Sequence, residues 1–268
     1  MTTELNLPND VIAGILKKAK ELSAVDQLAG ITRTTSRRNQ TVLTLDDTDA
    51  AWHNPTSTPK SVTDATVGSF VVPMNTIYKF YDFHDFQAED APGLVTNIVE
   101  DMPLIIAESF DKSVFGTALV PSSPFAGFTS DAMTVDDTAA SWEAVFDAIA
   151  DNGFDANGVI LNTKYRSLVR KALVEGGQVA VATIDGSDGL SLFGVPVKFR
   201  KLGSVVGVAG DWTRAVSAQY DGLETDVFNQ HSSKEQRAAN AISVFVGARK
   251  GFAVADQGAF VPLSVTVA

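Results

Sequence analysis

The 268-residue chain has no cysteine and only three histidines, His53, His84 and His231. Without thiols, disulfides and thiolate metal sites are excluded. The histidines lie far apart and none belongs to an H-E-x-x-H pair. In YDFHDF, His84 can share a strand face with Asp82 while Asp85 turns to the other side. One imidazole and one carboxylate fall short of a zinc site, so a solvated strand histidine is the preferred reading. The acidic run Asp46, Asp47, Asp49 lacks the glycine and terminal glutamate of a calcium loop, and DGSDG at 185–189 reads as a turn. Gly203, Gly207 and Gly210 do not make G-x-G-x-x-G, no lysine follows a glycine cluster as in a P-loop, and G-x-S-x-G is missing. No catalytic residue, cofactor or metal ligand is therefore expected, and the chain reads as a non-enzyme. Also missing is any apolar run near the roughly 18 residues of a membrane helix. Residues 1–10 are polar and acidic and lack a signal-peptide core. The sequence reads as soluble and made in the cytosol.

What is present is close to the globular average, with 45% hydrophobic and 20% charged residues, so wholesale disorder is not suggested. The net charge of −11 argues against a protein that grips DNA by its phosphates. Its distribution is uneven. Residues 1–40 carry six basic and four acidic residues, residues 41–160 three basic and nineteen acidic, and residues 161–268 twelve basic and nine acidic. The acidic middle of one copy can face the basic ends of another in a homopolymer. A solvated acidic face accounts for the same numbers equally well.

Hydrophobic spacing predicts a helix over 7–23, with Pro8 in its first turn and Val11, Ile12, Ile15, Leu16, Ala19 and Leu22 on one face. Residues 31–67 are rich in Thr, Ser, Asp, Asn and Pro, with short strands predicted at Thr41–Leu45 and Val62–Thr66. A largely structureless stretch this long is expected to find its partners elsewhere, as a two-stranded arm on another subunit. The basic cluster Arg33, Arg37, Arg38 is too small to establish nucleic-acid binding; a subunit contact or a solvated loop is the better reading. Residues 67–86 read as a strand, with Pro73 at an edge or a start. A long helix follows, capped by Asp90, stopped by Gly116 and kinked at Pro103. After a loop-rich bridge over 121–140, a helix around Trp142–Ile149 and a strand at Val159–Leu161 are predicted. A second helix, capped at Asn162 or Thr163, carries Tyr165, Leu168, Val169 and Leu173. Strands are predicted at Val195–Phe199, Val205–Ala209, Ala215–Gln219, Leu223–Phe228, Ile242–Ala248 and Phe260–Val267.

Three segments, LFGVPVKF (192–199), GDWTRAVSAQYDGLETDV (210–227) and VGARKGFAVADQGAFVPLSV (246–265), resemble in order and spacing the C-terminal half of tailed-bacteriophage major capsid proteins. That family commonly shows a Gly-Val-Pro-Val strand, a Gly-Asp plus aromatic turn before a strand, and an arginine-bearing strand running into Ala-Phe. AAWHNP (50–55) resembles the tryptophan-bearing start of its extended loop, and residues 70–116, ending DKSVFG, its backbone strand and spine helix. The resemblance implies an α+β, Hong Kong 97-type capsid fold. Its parts would be an N-terminal arm (1–30), an extended loop (31–68), a peripheral domain with the long spine helix (69–140 and 223–268), and an axial domain (141–222). The implied function is self-assembly as hexamers and pentamers into an icosahedral head that encloses double-stranded DNA without sequence-specific binding. Separate scaffolding, portal and decoration proteins are the implied partners, with no membrane and no cofactor. The implied location is the virion capsid, made and assembled in the host cytoplasm. Since the arm begins a few residues after Met1, no scaffolding segment is expected to precede it. Expected subunit-interface residues are Arg33, Arg37, Arg38, Trp52 and Lys60. The nearest alternative is an encapsulin-like nanocompartment shell, followed by another phage structural protein and an α/β enzyme with a deep pocket.

Overall fold

The computed structural model describes residues 9–35, 39–45, 67–84, 94–115, 128, 130–175, 190–228 and 241–265. The amphipathic start forms helix α1 (Asn9–Leu22), which buries Ile15, Leu16 and Ala19 of the predicted stripe. Ser23 then leaves the helical conformation and caps the short α2 (Ala24–Leu28), its hydroxyl accepting from the Asp26 N–H at 3.1 Å. The long helix is α3 (Leu94–Val114), with Pro103 inside it; Asp90 and Gly116, its expected cap and stop, lie outside the described residues. Its 21 residues span about 32 Å. Met102 and Ile106 pack with Ile15 and Ala19 of α1 against Val244, Val246 and Ala248.

Among the described residues the strands are β1 (Ile31–Thr35), β2 (Asn39–Leu45), β3 (Val67–His84), β4 (Met133–Val135), β5 (Gly158–Asn162), β6 (Leu190–Leu192), β7 (Val195–Arg200), β8 (Gly207–Gly210), β9 (Ala215–Phe228), β10 (Ala241–Val254) and β11 (Phe260–Val265). They form a five-stranded sheet, ordered β1-β9-β10-β3-β2, and a six-stranded one, ordered β4-β11-β8-β5-β7-β6. Helices α4 (Ala139–Asp151) and α5 (Arg166–Glu175) cover the second sheet. Trp142, Val145 and Ile149 meet Val169 and Leu173 there over Val159, Leu161 and Val197.

Several strands depart from the sequence expectation, and the three-residue β4 and β6 were not expected at all. β1 was read as polar loop, because Ile-Thr-Arg-Thr-Thr has no apolar alternation; the backbone ladder it makes with β9, in parallel, supplies what side-chain patterning does not. β9 runs unbroken where two strands were predicted. A bulge absorbs the irregularity: Ala248 faces Leu223 and Lys250 faces Gln219, so Tyr220–Gly222 oppose Arg249 alone. Pro73 sits inside β3 and not at its start. Val67–Pro73 pair with β2, and Met74–His84 pair with β10. Proline has no N–H to give, and it stands where the ladder passes from one neighbour to the other. The predicted strand Val62–Thr66 lies outside the described residues.

The sheets also gather segments from distant parts of the chain. Residues 133–135 and 260–265 hydrogen-bond into the six-stranded sheet with residues 158–210, and 215–222 belong to the five-stranded one. Two of the recognised motifs acquire physical reasons. In LFGVPVKF, Phe193 and Gly194 have φ of 50° and 88° and turn the β6–β7 hairpin. In GDW, Asp211 caps a short turn by accepting from the Thr213 N–H at 3.0 Å. The Asn157 amide donates to Asp211 at 2.8 Å and its carbonyl accepts from the Trp212 N–H at 2.8 Å. A Cβ at Gly210 would come within 2.4 Å of the Phe260 ring and 2.6 Å of the Ala259 carbonyl, so the turn requires glycine there.

Candidate functional site

Charged side chains are buried at one place between the N-terminal segment, α3 and the two sheets. Asp26 of α2 pairs with the Lys250 ammonium of β10 through Oδ2, and its Oδ1 accepts from the Ser217 hydroxyl of β9. The Lys250 side chain has no exposed surface, and its Nζ stands 4.4 Å from the centroid of the Phe110 ring. Asp111, the next residue of α3, accepts from the Ser23 hydroxyl at 2.6 Å and from the N–H groups of Ala24 and Val25 at 3.0 and 3.3 Å. Arg200, at the end of β7, brings its Nε to 3.7 Å from Asp111 and donates to the carbonyls of Leu22 (3.0 Å) and Phe199 (2.9 Å). The α1–α2 junction is thus tied to the long helix and to both sheets through one connected set of polar groups.

Ion pairs taken out of water add little net stability, because desolvation offsets the attraction, but they penalise every arrangement that separates them. Burial pushes the Asp111 carboxyl above its usual range; the hydrogen bonds from Ser23, Ala24 and Val25 oppose that push and the nearby Asp26 carboxylate adds to it. The native chain therefore holds this proton at pH values where the unfolded chain, ionising near pH 4, has lost it. Native protein binds more protons across that interval, so the Asp111 contribution to stability is full below it and declines as pH rises through it. Asp111→Asn is accordingly expected to gain stability relative to wild type as pH rises above the ordinary carboxylate range, read by chemical denaturation. A difference independent of pH would count against this account.

A second feature is on the surface. Tyr78 and Phe80, two apart on β3 and so on one face, are 61% and 50% exposed. Phe245 of β10 lies beside both, its ring centroid 5.9 and 5.0 Å from theirs. An open depression of about 590 Å³ is bordered by Asp137, Thr138, Arg170, Lys171, Val174 and Glu175, and a cleft of about 20 Å³ lies between β3 and α3. No residue of the buried polar set borders either one. Among the described residues no group of three His, Asp or Glu could hold a metal, and no helix is long and apolar enough to cross a membrane.

Of the residues predicted for a subunit interface, Arg33 falls in β1, opposite Ala218 of β9. Arg37, Arg38, Trp52 and Lys60 lie outside the described residues. Sequence reading missed the buried set altogether, since a lone Asp26, Asp111 or Lys250 is by residue type an ordinary surface residue. The one available signal was Asp111 and Lys250 falling on otherwise apolar faces, near Phe110 and Val114 and near Ala248 and Phe252.

Residues 5–265 match the phage capsid family, and the chain belongs to that family as a major capsid protein, a shell component of a bacteriophage virion. The fold is similar to that of a chain from Mycobacterium phage Ogopogo (12% identity, TM-score 0.66, 91% of this chain and 92% of that one). It is also similar to a chain from Gordonia phage Cozz (16%, 0.65, 92% and 87%). A chain in the capsid of an empty GTA particle with C5 symmetry matches comparably (16%, 0.66, 92% and 90%). No curated protein matches the chain.

Proposed function

We propose that this chain assembles as hexamers and pentamers into an icosahedral head enclosing double-stranded DNA, with the Hong Kong 97-type layout. The arm would be residues 1–30 and the extended loop 31–68. The peripheral domain would comprise 69–140 and 223–268, and the axial domain 141–222. The observation that carries this reading is the family match over residues 5–265, which leaves almost no part of the chain for another task. The β2–β3 ribbon supports it, because it leads into and out of the polar stretch 46–66 that has no apolar pattern of its own. So does the segregation of acidic and basic residues along the chain, which suits packing of identical copies. A net charge of −11 fits a container that leaves its DNA loosely held and unread. Scaffolding, portal and decoration proteins would be separate partners, and assembly would take place in the host cytoplasm.

Electron microscopy and light scattering of the protein, alone and with its scaffolding and portal partners, test this directly. Closed shells of uniform curvature are expected. A chain that stays monomeric or dimeric with those partners present would end the proposal, and shells that take up an enzyme in place of DNA would turn it toward the encapsulin-like compartment. Arg33, Arg37, Arg38, Trp52 and Lys60 are the proposed subunit contacts. Trp52→Ala, or glutamate at both Arg37 and Arg38, is expected to abolish particles while leaving the melting temperature of the unassembled subunit unchanged. Normal particles from either variant would remove those residues from the interface.

A further inference from the structure

We propose that Lys250 and Asp26 form an intramolecular isopeptide bond, an amide joining the lysine Nζ to the aspartate Cγ within one folded subunit. The inference stands on the buried polar set and is independent of the assembly proposed above.

The two reacting groups are already in contact, with Nζ on Oδ2 of the carboxylate. Both side chains are sealed, at 0% and 1% exposure, so the encounter is intramolecular and water does not compete for the site. The Phe110 ring, 4.4 Å from Nζ, closes the apolar side of the site. Ser217 Oγ donates to Oδ1, the atom that collects negative charge when Cγ becomes tetrahedral. A second carboxyl, Asp111, lies near Asp26, and its burial keeps it protonated to higher pH than an exposed aspartate. A lysine, an aspartate, an oxyanion donor and a neighbouring acid in a dry aromatic setting are the parts that amide formation requires.

The step balances without any outside reagent. Within the ion pair a proton passes from Nζ to Oδ2, giving a neutral amine and a neutral acid. The nitrogen lone pair attacks Cγ and the carbonyl π pair moves onto Oδ1, held by Ser217. Nζ then releases a proton, Oδ2 takes one, and Asp111 is the group that passes it across. The Nζ–Cγ bond forms, the Cγ–Oδ2 bond breaks, and one water leaves. The product staples α2 to β10 across 224 positions of the chain. Because both ends are inside one subunit, it would not link neighbouring subunits.

Intact-mass spectrometry of the denatured full chain, followed by peptide mapping, decides the matter. The expected mass is that of the sequence, 28.4 kDa, less one water. A branched peptide containing both Asp26 and Lys250 is expected, and trypsin should fail to cut after Lys250. Lys250→Arg keeps a cation beside Asp26 and should show the full mass. Asp111→Asn keeps an acceptor for Ser23 and the α2 N–H groups, and should leave most chains at full mass. Folded wild-type protein at full mass, with Asp26 and Lys250 in separate peptides, overturns the proposal whether or not the variants fold. Loss of water that persists in Lys250→Arg overturns the assignment to this lysine.

Discussion

Measured against wild-type chains whose Lys250 and Asp26 are an ion pair and not yet an amide, Lys250→Met loses about 3–5 kcal/mol of folding stability, read as a lowered denaturant midpoint with an unchanged slope. The loss comes from what is left behind. Asp26 would remain a buried carboxylate with the Ser217 hydroxyl on one oxygen and no cation on the other. Methionine fills the same channel beside Phe110, so little of the effect comes from an empty cavity. The unpaired carboxylate has a second, sharper consequence. Asp26→Asn combined with Lys250→Met should recover much of the loss, because two neutral side chains no longer include an unpaired charge. If the double variant is as unstable as the sum of the singles, packing and not charge governs this site.

The second large effect is expected at Trp212, whose truncation to alanine should cost about 3–5 kcal/mol in the same measurement. Trp212 is wholly buried in the core between the two sheets. Its ring meets Phe260 and Phe128 edge-on, with centroids 5.3 and 5.9 Å away. Its indole N–H donates to the Gly158 carbonyl at 2.9 Å, joining the turn before β9 to the start of β5. Trp212→Phe separates the two contributions: most apolar area stays and the hydrogen bond goes, so a loss of roughly 1 kcal/mol is expected. An alanine variant within that smaller range would mean that the turn closes over the gap and that the sheets do not depend on this ring.

Much of the architecture was legible because it obeys local periodicity. The stripes of α1, α3, α4 and α5 were read correctly, as were β5 and most of the C-terminal strands, since each carries its own apolar face. β1, β4 and β6 were not read. All three are short or polar; β1 and β4 become strands only through the ladder of a partner far away in the chain, and β6 is three residues completed by its hairpin with β7. The buried polar set was invisible for the same reason. Asp26 and Lys250 are 224 positions apart, and a single sequence gives each residue's character without saying which residue it meets. The family motifs were readable because they are constrained locally: Gly210 by the Phe260 ring and the Ala259 carbonyl, and Gly194 by a hairpin turn. Of the suggested interface residues, Arg33 stands in β1 and the other four lie among residues the structure does not describe, so all five remain part of the proposal.

The position of the last strands carries a consequence for synthesis. β10 is the central member of the five-stranded sheet, and β11 lies between β4 and β8 in the other. Until residues 241–265 have left the ribosome, β3 and β9 have no common neighbour and β4 has no partner at all. Lys250 belongs to the same late segment, so Asp26 waits for its cation as well. Such long-range pairings make folding slow and leave little to complete before the whole chain is available. A chain cut short before residue 241 therefore lacks the strand that joins β3 to β9, and its five-stranded sheet stays open.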